Sequence, residues 1–220
     1  MIDTIIFDAD GIVLDSEQAW VKGTTEFLRR KGFIYDKERL MPLMIGGSVE
    51  DGVRIMQKEY GFGGDANALA RERVSLVRMY YETELEFVKG FEEFYSKVQG
   101  KYKTCIATSL DSELLKIADK KLGLTKIFND KIFSIADVGN VSKPAPDIFL
   151  YVAKKLNSKP QNCLVIEDSP RGVKAAKSAG MFCVALTTTN KKELLAKADI
   201  VVDSYQSIPG VISGNNDPNS

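Results

Sequence analysis

No histidine occurs anywhere in the 220 residues. Every mechanism that rests on an imidazole base is thereby excluded, from Ser-His-Asp and Cys-His hydrolases to most catalytic zinc sites. Cysteine is scarce as well: Cys105, Cys163 and Cys183 each lie inside an apolar run (KTCIAT, QNCLVI, MFCVAL), without the paired spacing that metal sites use. They read as small core residues. Net charge is missing too, since thirty basic residues balance thirty acidic ones, so bulk charge points to neither nucleic acid nor a membrane as partner. No stretch is long and apolar enough to span a bilayer, and an apolar strand starts at Ile2 with no basic segment ahead of it. These absences lead us to expect a cytoplasmic globular protein, monomeric or weakly homodimeric.

What is present alternates. Short apolar runs recur at Ile5–Phe7, Thr104–Ala107, Lys131–Ser134, Cys163–Ile166 and Phe182–Leu186, and read as buried strands. Between them, apolar residues at three- and four-residue spacing predict helices over Ser112–Leu122, Asp147–Leu156, Gly172–Ala179 and Lys191–Ala198. Strand and helix in alternation imply a doubly wound, mostly parallel α/β sheet with helices on both faces. The interval from Glu17 to Glu86 breaks that rhythm, with amphipathic stretches at Ala19–Lys31, Val49–Tyr60 and Ala66–Tyr81 and no strand. It reads as a helical cap, residues 16–87, inserted into a core formed by residues 1–15 and 88–220. The polar, turn-rich segment Ser213–Ser220 is expected to fray.

In a doubly wound sheet, ligands bind beyond the carboxyl ends of the strands. The residues found there are Asp8-Ala9-Asp10-Gly11 after the first run, Thr108-Ser109 after the second, Ser142-Lys143-Pro144 beyond the third and Glu167-Asp168-Ser169 after the fourth. Carboxylates converging without neutralisation repel one another, so such a site demands a cation, and an oxygen-only donor set suits magnesium. With Lys143 beside that ion a phosphoryl group is neutralised, Thr108 or Ser109 can donate to its oxygens, and a carboxylate can attack phosphorus. A second carboxylate two residues on, Asp10, can protonate the leaving oxygen and then deprotonate water. Plainer roles exist for each: turn aspartates at Asp8 and Asp10, a helix cap at Thr108, Ser109 or Asp111, a loop lysine at Lys143, and helix-dipole partners at Glu167 and Asp168.

FDADG at Phe7–Gly11, Thr108 in IATSL, Lys143 in SKPAPDIF and IEDSPRGVKAAKSAG at Ile166–Gly180 stand in one order. In this the chain resembles the haloacid dehalogenase-like hydrolase superfamily, in the subgroup with a helical cap after the first strand, from Ile5 to about Asp203. The resemblance implies a Rossmann-like core, Asp8 as nucleophile, Asp10 as acid/base, Thr108 as a phosphoryl-binding hydroxyl and Lys143 as the neutralising lysine. It also implies magnesium held by Asp8, the Asp10 carbonyl and Asp168, with Glu167 nearby or acting through water. The cap turn at Gly47 and Ser48 often faces the site in that family, while Ser48 equally suits the N-cap of the helix it precedes. Two positions depart from the usual pattern, Ile12 where threonine is common and Lys89 where proline is.

Asp10 argues against dehalogenation, whose halide leaving group needs no proton. A β-phosphoglucomutase-like activity is the nearer alternative, but the cap arginine and linker histidine of that subgroup are Val49 and Trp20 here. Phosphonate cleavage would need a Schiff-base lysine in the cap, and Lys22, Lys31, Lys37 and Lys58 lack that motif context. The expectation is a magnesium-dependent phosphatase acting on a small phosphorylated metabolite, a sugar phosphate or phosphoglycolate-like ester. From another class, a non-catalytic module that binds a phosphorylated ligand is the alternative; loss of Asp8 or Asp10 would have marked it.

Overall fold

The computed structural model describes residues 1–208, so the Ser213–Ser220 segment lies outside the described residues. In chain order come β1 (Thr4–Phe7), β2 (Leu14–Asp15), α1 (Glu17–Arg30), α2 (Lys37–Met44), α3 (Val49–Tyr60), α4 (Ala66–Glu84) and β3 (Glu86–Phe87). There follow α5 (Phe91–Val98), β4 (Lys103–Thr108), α6 (Ser112–Leu122), α7 (Leu124–Phe128), β5 (Ile132–Ser134) and α8 (Asp147–Lys155). The chain continues through β6 (Cys163–Glu167), α9 (Pro170–Ser178), β7 (Phe182–Leu186) and β8 (Ile200–Val202).

Six strands pair in the order β5-β4-β1-β6-β7-β8, every pairing parallel. The period of two along each strand divides the apolar residues between two layers. Ile5, Phe7, Leu164 and Ile166 face one, while Ile6, Cys105, Val165 and Cys183 face the other. In the first layer the Phe7 ring meets those of Phe91, Phe94, Tyr95 and Phe128 edge-on, at 5.8 to 6.2 Å between centroids. All three cysteines are buried and free, as small core residues.

Helices α1 to α4 lie between β2 and β3, which pair antiparallel where the chain leaves the sheet and returns to it. The N-termini of α2, α3 and α4 follow capping chemistry, with Asp36, Ser48 and Asp65 accepting from the amides three residues on. Five short elements differ from expectation. Lys191–Ala198 is only a 3-10 turn over Lys192–Leu195, because the chain must return at once to the sheet edge as β8 and Leu195 alone of that turn is buried. β8 itself, at three residues, and the two-residue β2 and β3 are too short to carry a period. Helix α2 has Pro42 inside it, which breaks its helical pattern. Among the described residues, no helix is long and apolar enough to cross a membrane.

Candidate active site

The ends of the parallel strands open on one side of the sheet, and the residues that follow them meet there. Asp8 continues β1, its amide donating to the Ile166 carbonyl at 3.0 Å. The chain then turns, with the Val13 and Leu14 amides both donating to the Ala9 carbonyl at 2.8 and 2.9 Å. Gly11 sits in this turn at φ +72°, and a Cβ there would lie 2.0 Å from Asp168 Oδ2. Only glycine lets the β1 turn lie against the end of β6.

Lys143 is fully buried and bridges two carboxylates, with Nζ 2.6 Å from Asp8 Oδ1 and 2.6 Å from Glu167 Oε1. Burial alone would pull its pKa down, but Asp8 and Glu167 more than offset that and push it up. It is therefore a fixed cation. The other oxygen of Glu167 accepts from the Asp168 amide (3.0 Å), the Ser169 amide (3.1 Å) and the Ser169 hydroxyl (2.9 Å). Gly172 makes room for this carboxylate, since a Cβ there would come within 1.8 Å of Glu167 Oε1. Gly172→Ala is expected to cost about 1–3 kcal/mol by overpacking, read as a lower urea midpoint. An unchanged midpoint would contradict the tight packing of Glu167.

Asp168 accepts from the Thr189 hydroxyl on Oδ2, while its carbonyl accepts from Asn190 Nδ2 at 3.0 Å. Its Oδ1 is enclosed and has no hydrogen-bond partner. Oxygens of Asp8, Glu167 and Asp168 lie within 4.8 Å of one another, and one lysine cannot neutralise them all. Burial pushes the Asp8 pKa up to about 7 and the Asp168 pKa well above its ordinary value, with Glu167 adding to both. An orphaned carboxylate oxygen in a buried acidic cluster fits a hard divalent cation.

Asp10 turns toward the helices. Its Oδ1 accepts from the Ser16 hydroxyl, from Tyr81 Oη at 2.5 Å and from Trp20 Nε1 at 3.4 Å. Burial raises its pKa against these three hydrogen bonds.

Thr108, buried at the end of β4, accepts from the Leu110 amide at 2.9 Å. Ser109 instead donates to the Gly46 carbonyl at 3.2 Å, tying the strand end to the turn between α2 and α3. Ser48 is the N-cap of α3, accepting from the Asp51 amide at 3.1 Å while Asp51 accepts from the Ser48 amide at 3.4 Å. Gly47 lies against the Arg171 guanidinium, where a Cβ would come within 2.8 Å. Asp8, Asp10, Thr108, Ser109, Asp168, Gly47 and Ser48 line a cavity open to solvent. Lys143 and Glu167 stand behind it, fully buried.

Residues 2–180 match the family model described as "haloacid dehalogenase-like hydrolase". The chain belongs to the haloacid dehalogenase-like hydrolase family. It is 30% identical over 180 residues to the fructose-1-phosphate phosphatase of Escherichia coli, covering 82% of this chain and 94% of that one. The chloroplastic protein SUPPRESSOR OF QUENCHING 1 of Arabidopsis thaliana is 30% identical over 98% of this chain, which spans only 21% of that protein's length. Among solved structures, the β-phosphoglucomutase of Clostridium difficile superposes with a TM-score of 0.80 at 28% identity, covering 97% of this chain and 96% of that one.

Several contacts of this hydrolase gave no sequence signal. Arg171 reaches the helical segment, with Nη2 2.9 Å from Asp51 Oδ2, and Ser142 donates to the same oxygen at 2.5 Å. Burial works against ionisation of Asp51, but Ser142, Arg171 and Ser48 hold its carboxyl below the ordinary value. Such pairs join positions far apart in sequence, which no spacing reveals. Arg73 did leave a trace: it breaks the buried apolar stripe of Ala70, Val74, Val77 and Tyr81 on α4.

Proposed function

We propose that this hydrolase is a magnesium-dependent phosphatase that removes the phosphoryl group of a small phosphorylated metabolite through an aspartyl-phosphate on Asp8. The observation that carries this reading is the enclosed, partnerless Oδ1 of Asp168 beside Asp8, in a carboxylate cluster that Lys143 only partly neutralises. Asp8 and Asp168 with the Asp10 carbonyl would hold the ion, and Glu167, its oxygens engaged by Lys143 and backbone amides, would act through Lys143 or a water. When bound, magnesium supplies positive charge to the phosphoryl oxygens.

An oxygen of Asp8 attacks phosphorus, the ester P–O bond breaks, and the leaving oxygen takes the proton of the Asp10 carboxyl. Asp10, now ionised, takes a proton from a water whose oxygen attacks phosphorus. The bond to Asp8 breaks, and inorganic phosphate leaves with Asp8 regenerated. Lys143 holds the attacking carboxylate in place, Thr108 donates to a phosphoryl oxygen, and residues 16–87 act as the cap that excludes bulk water.

The alternative, phosphoryl return to a sugar, follows the likeness to a β-phosphoglucomutase; Trp20 and Val49, in place of that subgroup's histidine and arginine, favour water as acceptor. Assay with para-nitrophenyl phosphate, with magnesium or with chelator, followed by a panel of sugar phosphates, tests the reading. Magnesium-dependent phosphate release is expected; isomerised sugar phosphate without release, or no turnover at all, would count against it.

The raised carboxyl pKa values also set a pH dependence. Between the ordinary aspartate value of 3.8 and about 7 the folded metal-free protein binds more protons at Asp8 than the unfolded chain does, so stability falls as pH rises through that window. Magnesium competes with those protons. The rise in Tm on adding magnesium is therefore expected to grow between about pH 5.5 and about pH 8, as thermal melts would record. A rise that shrank toward high pH would contradict the account.

A further inference from the structure

Arg73 lines the same cavity from the cap side and is 5% exposed. Its Nε and Nη2 both donate to Thr24 Oγ1, at 3.1 and 2.9 Å, and its guanidinium lies 4.8 Å from the centre of the Trp20 ring. Among the described residues it forms no ion pair, and the phenol of Tyr35 opposes only part of the effect of burial on its pKa. Burial pulls its pKa down to about 10, which leaves it a cation at neutral pH. A buried charge with no counter-charge is costly, and a neutral hydroxyl and a ring face only partly compensate.

A guanidinium carries five N–H groups, and Thr24 takes two of Arg73's. The remaining donors have no hydrogen-bond partner among the described residues, and Nη1 packs against Gly52, where a Cβ would come within 2.8 Å of it. Glu17, the acidic residue that lines the cavity on the same side, is already paired with Lys37 at 2.7 Å. Arg73 is the single cation in the cavity lining among the described residues, facing the Asp8 and Asp168 ends of the strands across walls such as Trp20, Met44 and Val49.

We propose that Arg73 binds a second oxyanion of the substrate, so that the preferred substrate is a phosphate monoester that also carries a carboxylate or a second phosphate. The phosphate of the cleaved ester lies at Asp8, and the second anion supplies the counter-charge that the fold withholds from Arg73. This deepens the phosphatase reading and rests on it. Arg73 selects the substrate and takes no part in bond making.

The test uses two matched pairs, phosphoglycerate against glycerol phosphate for the carboxylate and fructose bisphosphate against fructose monophosphate for the second phosphate. In the wild type kcat/KM favours the two-anion member of at least one pair, and which pair tells the sources apart. Arg73→Gln is expected to shrink that preference roughly 10- to 100-fold, chiefly through KM, while Arg73→Lys keeps part of it. A preference equal in the wild type and Arg73→Gln, or none in either pair, would overturn the assignment. Calorimetric titration of the same four compounds into Asp8→Asn protein, with and without Arg73→Gln, decides the point without turnover: a two-anion preference lost with Arg73 supports it, and no preference overturns it. Para-nitrophenyl phosphate left intact by the wild type would sink the phosphatase reading alone.

Discussion

Asp8→Asn is expected to lower kcat for para-nitrophenyl phosphate by at least about a thousandfold, with little change in fold. Asparagine keeps the shape of the side chain and can still accept the hydrogen bond that Lys143 gives Asp8 at 2.6 Å, so the bridge to Glu167 survives. What is lost is the anionic oxygen that attacks phosphorus. The variant also removes a buried carboxylate whose repulsion adds to burial in raising the Asp168 pKa, and its metal-free melt should be at least as high as that of the wild type. Turnover within tenfold of the wild type would exclude Asp8 as nucleophile.

Lys143→Met should have the largest effect on stability. Methionine fills much of the space over Phe149, whose ring centre lies 5.0 Å from Nζ, but leaves Asp8 and Glu167 facing each other without the cation between them. Removing one partner from a buried ion pair costs about 3–5 kcal/mol, which for a chain of this size corresponds to a fall in Tm of roughly 6–20 °C. Addition of Glu167→Gln to Lys143→Met should recover part of the loss, because one of the stranded charges goes with it. If the double variant were no more stable than Lys143→Met, the loss would stem from packing and not from charge.

Much of this was legible because the sheet's chemistry is local. Asp8, Asp10, Thr108, Glu167 and Asp168 each follow an apolar run by a few residues at most, and the runs at Ile5–Phe7 and Cys163–Ile166 became β1 and β6 with their carboxylates in line. Helices with strong apolar periodicity, such as Val49–Tyr60, matched residue for residue. The elements that escaped were those too short for a period, β2, β3 and β8, and α2 with its internal Pro42.

The site was harder to read where it depends on contacts between distant segments. The Ser109 hydroxyl donates to the Gly46 carbonyl, a contact no spacing announced, while Ser48 accepts from an amide of its own helix in the N-cap role its sequence position also suited. Tyr81 lies 71 positions from the Asp10 carboxylate it donates to, and nothing but the packing of α4 brings it there. Arg73 was readable in principle, as a charge where α4 should be apolar, because a buried cation demands an explanation that a surface one does not.

The central claim is the phosphoryl group on Asp8, and the most direct measurement is mass spectrometry of acid-quenched Asp10→Asn protein after mixing with magnesium and para-nitrophenyl phosphate. Nitrophenolate leaves without a proton, so the first step survives the loss of Asp10, whereas attack by water on the intermediate lacks its base. The account predicts a peptide carrying one phosphoryl group at Asp8, absent when chelator replaces magnesium. Phosphate release by the wild type with an unmodified Asp8 peptide in the Asp10→Asn protein would contradict it.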